Sequence, residues 1–185
     1  MKQLVLAGGG HAHVQVLAAL AAQPLAGVEV TLVTPQPTQW YSGMVPGVVA
    51  GRYAPEEAQI DLVALARRAG VRLVLDAVSA LRAEARQVQL AGGGDLAYDA
   101  LSLDTGGELS RTLIDGAREQ ALFVRPLQTF LQLWPRLQSL AAQRPGLQVV
   151  VIGGGAAGFE LCLAMRRALV ASARVTLVAG NAGLL

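Results

Sequence analysis

A chain of 185 residues with 53% hydrophobic and 15% charged residues carries enough apolar side chain to bury a core and is not a disordered segment. The formal net charge of +2 comes from scattered arginines, with Arg67-Arg68 and Arg166-Arg167 the only adjacent pairs. A nucleic-acid surface needs a clustered basic stripe, so no nucleic-acid partner is expected. Cys162 is the only cysteine, which excludes an internal disulfide and a dithiol redox centre and fits a reducing compartment, the cytoplasm.

The apolar run Leu4–Ala7 reads as a buried strand leading straight into Gly8-Gly9-Gly10. A helix follows from about His11 to Ala22, with Val14, Leu17, Ala18 and Ala21 on one face and Pro24 beyond its end. Val28–Val33 is the next strand, completing a right-handed βαβ unit. Thr34 to Gly51 reads as a loop dense in Pro and Gly, and Pro55–Ala69 as a helix closed by Gly70. Val71–Leu75, Ala77–Ala83, Gln87–Leu90 and Asp95–Leu103 read as short strands of a small antiparallel sheet packed on the parallel one. Asp104-Thr105-Gly106-Gly107 closes the first domain, giving expected boundaries of 1–108 and 109–185.

In the second domain a helix is predicted from Pro126 to about Ala142, kinked or split at Pro135. The opening pattern then returns as strand Gln148–Ile152, turn Gly153-Gly154-Gly155, helix Ala156–Val170 and strand Arg174–Val178. Two apolar stretches, 3–22 and 147–165, are long enough to resemble membrane segments. Both contain three adjacent glycines, and the second carries Glu160, which is costly in lipid, so no transmembrane segment is expected.

A strand that turns sharply into a helix aims backbone N–H groups at one place, at the positive end of the helix dipole, which suits a diphosphate. Glycine in the first position permits the turn, in the second lets phosphate approach, and in the third lets helix and strand pack closely. Gly153, Gly155 and Gly158 fill all three places; the first copy has Gly8 and Gly10 but His13 at the third. His13 is read as a packing or phosphate-side group, and a metal site from His11 and His13 lacks a third ligand. The acidic residue that grips a ribose falls about 20 residues after the first glycine. Glu29 has that spacing but starts its strand, and the strand's far end is Thr34; in the second copy the matching place is Ala179 or Gly180. Neither copy distinguishes NADH from NADPH.

The two glycine turns, the stretch Tyr98-Asp99-Ala100-Leu101-Ser102-Leu103-Asp104-Thr105-Gly106 and the run Gly153–Glu160 together resemble the FAD-dependent pyridine nucleotide-disulfide oxidoreductase superfamily. Its usual middle motif reads YDxLxxATG, so Asp104 departs from the Ala. The likeness is to the type II NADH dehydrogenase-like branch. Gly8–Val14 and Trp40–Gly47 look like the subgroup associated with selenide, water dikinase. The resemblance covers nearly the whole chain. It implies an α/β fold: a Rossmann-like FAD-binding domain with a small antiparallel sheet, then the start of a second, NAD(P)-binding one.

The resemblance further implies FAD diphosphate over Gly8, Gly9, Gly10, His11, Ala12 and His13, with the adenosine near Thr34, Pro35 and Val78. Thr105 and Gly106 would lie close to the flavin, with Ser42, Gly43 and Pro46 approaching it from the long loop. NADH or NADPH would lie over Gly153, Gly155, Ala156, Ala157 and Gly158, with Glu160 near the nicotinamide as the one candidate catalytic residue. Glu160 equally reads as a carboxylate stabilising its helix, and Trp40 and Tyr41 as packed loop residues. The implied reaction passes a hydride from reduced nicotinamide to flavin and electrons on to a small acceptor such as a quinone. A homodimer and a functional link to selenide, water dikinase are compatible with the likeness. The second βαβ unit lacks a further helix and strand, so the chain reads as a piece of a protein roughly twice as long. The alternatives are a dinucleotide-binding module without activity and a flavin-free NAD-dependent dehydrogenase.

Overall fold

The computed structural model describes residues 1–107 and 109–180. The chain divides into two compact units, Met1–Gln39 with Ile60–Gly107, and Trp40–Gln59 with Glu108–Leu185. The segment Trp40–Gln59, expected in the first domain, therefore belongs to the second unit. Its apolar residues Val45, Val48, Val49 and Ala58 are buried there in one cluster with Phe130, Trp134 and Leu161.

In the first unit β1 (Lys2–Ala7), α1 (His11–Ala22) and β2 (Val28–Val33) form the βαβ unit, paired in parallel from Lys2↔Val28 to Ala7↔Val33. The Pro- and Gly-rich stretch after β2 is not an unbroken loop. It contains β3 (Thr38–Trp40), a 3-10 turn at Ser42–Met44 and α2 (Val45–Val49). The predicted helix 55–69 is likewise three elements: a 3-10 turn at Pro55–Ala58, β4 (Gln59–Asp61), which pairs with β3, and α3 (Leu62–Ala69). Two side-chain caps explain the break. The Glu57 carboxylate accepts the Ala54 N–H at 2.7 Å, closing the first turn, and Asp61 accepts the Ala64 N–H at 2.9 Å, starting α3 afresh. Gly70, at φ 65°, ends α3 in the left-handed conformation.

β5 (Arg72–Val74) joins the parallel sheet, while β6 (Val78–Arg82), β7 (Gln87–Leu90) and β8 (Asp95–Ala97) form the antiparallel one. The predicted strand 95–103 splits: β9 (Ala100–Leu103) leaves the antiparallel sheet and pairs in parallel with β1. The crossing is held at Tyr98 and Asp99. Tyr98 N–H donates to Arg86 at 2.9 Å and Asp99 N–H to Gln3 at 2.8 Å, while the Asp99 carboxylate accepts the Gln3 N–H at 2.7 Å. The parallel sheet has the order β5-β2-β1-β9. Strand alternation sends Leu6 and Leu32 to one face, against Leu17, Leu20, Leu62 and Ala66 of α1 and α3. Val5 and Val33 face the other way, against Val88, with Val78, Tyr98 and Leu101 around them.

In the second unit α4 (Ala117–Gln120) and α5 (Leu127–Gln143) precede β10 (Leu147–Ile152), α6 (Ala156–Ala168) and β11 (Ala173–Val178), and β10 and β11 pair in parallel. Pro135 does not split α5. A proline inside a helix costs about 3 kcal/mol, and the buried side chains on both sides of it, Phe130, Leu131, Trp134 and Ala141, offset that by packing. Val149, Val151 and Val175 face this core, whereas Val150, Ile152 and Val178 on the opposite face of the pair are exposed. Among the described residues no helix is long and apolar enough to cross a membrane.

Candidate functional site

The first glycine turn is shaped by what surrounds it. Gly8 has φ 98°, a conformation that disfavours any side chain, and its N–H continues the ladder to the Val33 carbonyl at 2.7 Å. A Cβ on Gly8 would overlap the Asp104 backbone, and one on Gly9 would lie 2.6 Å from Leu62 Cδ1 and 3.0 Å from Thr34 Oγ1. Gly10 caps α1, donating its N–H to the Asp104 carbonyl at 3.2 Å and accepting the Val14 N–H at 3.0 Å. A Cβ on Gly10 would overlap the Asp104 carboxylate. The absence of a side chain at Gly10 thus leaves room for the Asp104 carboxylate as well as for a phosphate.

His13 replaces the third glycine without losing the close contact. Its ring is 1% exposed, with Nδ1 2.6 Å from the Gly8 carbonyl oxygen and Nε2 2.9 Å from Ser102 Oγ. A carbonyl only accepts, so Nδ1 carries the proton and donates; in the neutral ring Nε2 then accepts from the Ser102 hydroxyl. The ring ties the glycine turn to the end of β9. Asp104, the departure from the Ala of the middle motif, sits beside it. Gly10 has no side chain to cap α1, and the carboxylate of Asp104, the residue after β9, does so by accepting the His13 N–H at 3.1 Å. Two departures from the expected motifs therefore adjoin in space. Each departure is visible in the sequence, but nothing there links the two, and Ser102, not singled out, completes the cluster.

The second turn is open. Gly153, at φ 123°, and Gly155, which caps α6, are exposed, and a Cβ on either meets nothing within 4 Å. A Cβ on Gly158 would overlap the Gly153 carbonyl oxygen, the close contact expected of a third glycine. Ala156 and Ala157 are exposed in the first turn of α6. Glu160 is exposed one position beyond Phe159, past the first turn, where the helix dipole acts weakly.

The remaining candidates divide between the units. Thr34 is 3% exposed at the end of β2, and its hydroxyl donates to the Gln36 carbonyl at 3.3 Å; Pro35 is exposed next to it. Val78 packs into the Val5–Val33–Val88 cluster at the start of β6. Thr105 and Gly106 are exposed, and Thr105 Cα adjoins Gly8. His11 and Ala12 open α1. Ser42, Gly43 and Pro46 lie in the second unit, on the 3-10 turn and α2, and Trp40 packs partly buried against that unit's core.

Two strand–glycine–helix–strand units, each with a helix starting at a glycine turn, define a Rossmann-type protein of the kind built into FAD- and NAD-binding reductases. The family model described as pyridine nucleotide-disulphide oxidoreductase matches residues 2–185, and the chain belongs to that family. Its members bind FAD and NAD(P)H.

The biphenyl dioxygenase system ferredoxin–NAD(+) reductase component of Paraburkholderia xenovorans (strain LB400) is 33% identical over 90 residues, 49% of this chain and 21% of that protein. The sulfide:quinone oxidoreductase of Aquifex aeolicus superposes with TM-score 0.76 and 20% identity over 97% of this chain and 43% of its own. The water-forming NADH oxidase of Lactobacillus brevis, bound to NADH, gives TM-score 0.76 and 18% identity over 97% and 40%. At these identities the solved structures speak for the fold. In every case the chain spans less than half of the relative.

Proposed function

We propose that the chain is the FAD-binding and NAD(P)H-binding part of an NAD(P)H oxidoreductase. In this reading Met1–Gln39 with Ile60–Gly107 holds FAD, and Trp40–Gln59 with 108–185 holds the nicotinamide nucleotide. The observation that carries it is the pair of strand-to-helix glycine turns in one chain, the second open at Gly153 and Gly155. At the first turn the N-terminus of α1 already receives one carboxylate, that of Asp104, through the His13 N–H.

Gly8, Gly9, Gly10, His11 and Ala12 would hold the diphosphate of FAD, His13 and Ser102 keeping the turn in shape behind them. Thr34, Pro35 and Val78 would flank its adenosine, and Thr105 and Gly106 its flavin. Gly153, Gly155, Ala156, Ala157 and Gly158 would hold NAD(P)H, with Glu160 orienting the nicotinamide. Bound flavin supplies the hydride-accepting and electron-passing chemistry. The residues here bind and orient, and none is needed as an acid or base for hydride transfer.

The relatives are named for different acceptors, a ferredoxin in one and a quinone in another. Lacking a cysteine pair, this chain has no dithiol relay for a disulfide substrate, and the acceptor proposed is a quinone or another small molecule. The selenide, water dikinase-associated subgroup is proposed from Gly8–Val14 and Trp40–Gly47, and a homodimer from the family likeness.

The test is the visible absorbance of the purified chain with FAD and then NADH under anaerobic conditions. Flavin bands that NADH bleaches are the expected result. Bound flavin that stays oxidised would instead support a dinucleotide-binding module, and absence of flavin binding would overturn the assignment of the first turn.

A further inference from the structure

We propose that Asp104 weakens FAD binding at the first glycine turn, making FAD a dissociable cofactor of this protein; the inference rests on the FAD assignment of that turn. The Asp104 carboxylate accepts the His13 N–H at 3.1 Å, in the first turn of α1, and lies where a Cβ of Gly10 would be. Its backbone is fixed to the same turn, with the carbonyl accepting the Gly10 N–H at 3.2 Å and the N–H donating to the Ala7 carbonyl at 2.8 Å. The residue therefore has little freedom to withdraw its backbone. A diphosphate bound at the first turn of α1 would draw on the same helix terminus that this carboxylate already occupies through the His13 N–H. Like charges sharing a helix terminus repel, so part of the attraction that the helix terminus offers the diphosphate is cancelled. The usual Ala of the motif has no such charge.

The charge and the cap are separable by substitution. Asp104→Asn keeps an oxygen that accepts the His13 N–H and removes the charge; Asp104→Ala removes both. FAD affinity is read by titration of flavin fluorescence on the full chain, with the thermal midpoint recorded for each variant. The expected result is a dissociation constant about tenfold lower in Asp104→Asn, lower also in Asp104→Ala, with the difference from the parent shrinking at high salt as the repulsion is screened. NADH affinity, measured alongside, stays unchanged, because the hydrogen bonds of Asp104 all lie within the first glycine turn and its flanking strands. A role as helix cap alone gives the opposite pattern: Asp104→Asn binds FAD like the parent and Asp104→Ala binds it more weakly. That pattern overturns the proposal. If Asp104→Asn does not fold, the direction of change in Asp104→Ala decides. FAD binding by neither parent nor variants would instead overturn the FAD assignment itself.

Discussion

The two glycine turns carry nearly the same residues and are built differently. Around Gly8–Gly10 the neighbours are protein: the Asp104 backbone and carboxylate, Leu62 and Thr34. Around Gly153 and Gly155 there is open space, and only Gly158 is pressed against its own turn. A glycine motif thus combines three separate demands, namely backbone conformation, room for a neighbouring chain and room for a ligand. The first turn is set mainly by the first two, and the second leaves the third visible.

Substitutions that separate these demands sharpen the contrast. Gly8→Ala meets both a positive φ and an overlap with the Asp104 backbone, so it has the largest expected effect. We expect a loss of about 3 kcal/mol or more in chemical denaturation of the first unit, and a smaller loss would mean that β9 can move away from the turn. His13→Gly makes the first motif match the second yet removes a buried ring and its two hydrogen bonds. It should destabilise by about 2–4 kcal/mol, and a neutral result would show that His13 is a passive substitute. Gly158→Ala should cost about 1–3 kcal/mol through its contact with Gly153, with the thermal midpoint as the readout.

Gly155→Ala meets nothing in the fold and should change stability by less than about 0.5 kcal/mol. NADH binding should nevertheless weaken several-fold, as followed by nucleotide fluorescence; unchanged binding would remove Gly155 from the proposed seat. The smallest effect is expected for Arg82→Ala, which breaks the exposed 3.0 Å ion pair with Asp95. Such a pair contributes about 0–1 kcal/mol, and neither cofactor's binding should change.

The βαβ units were legible because their signals are local. A continuous apolar strand, a glycine turn and a helix beginning at the next residue recur in both copies, and α1 has the predicted limits His11–Ala22. Elements set by side-chain caps or by a change of partner were not legible. Asp61 divides what reads as one helix, and Tyr98-Asp99 divides what reads as one strand, because an alternating pattern does not say which sheet a strand joins. The grouping of Trp40–Gln59 is not legible either, since its apolar residues find their core with Phe130 and Leu161, far along the chain.

By itself the sequence determined the α/β class and the two strand–glycine–helix–strand repeats. These follow from periodicity and from glycines whose role is fixed within a few residues. Tertiary structure decided how a turn lacking its third glycine is kept, and which residue guards it. His13 meets Ser102 across 89 positions and Asp104 across 91, and no local pattern specifies a hydrogen bond formed only when β9 docks beside β1.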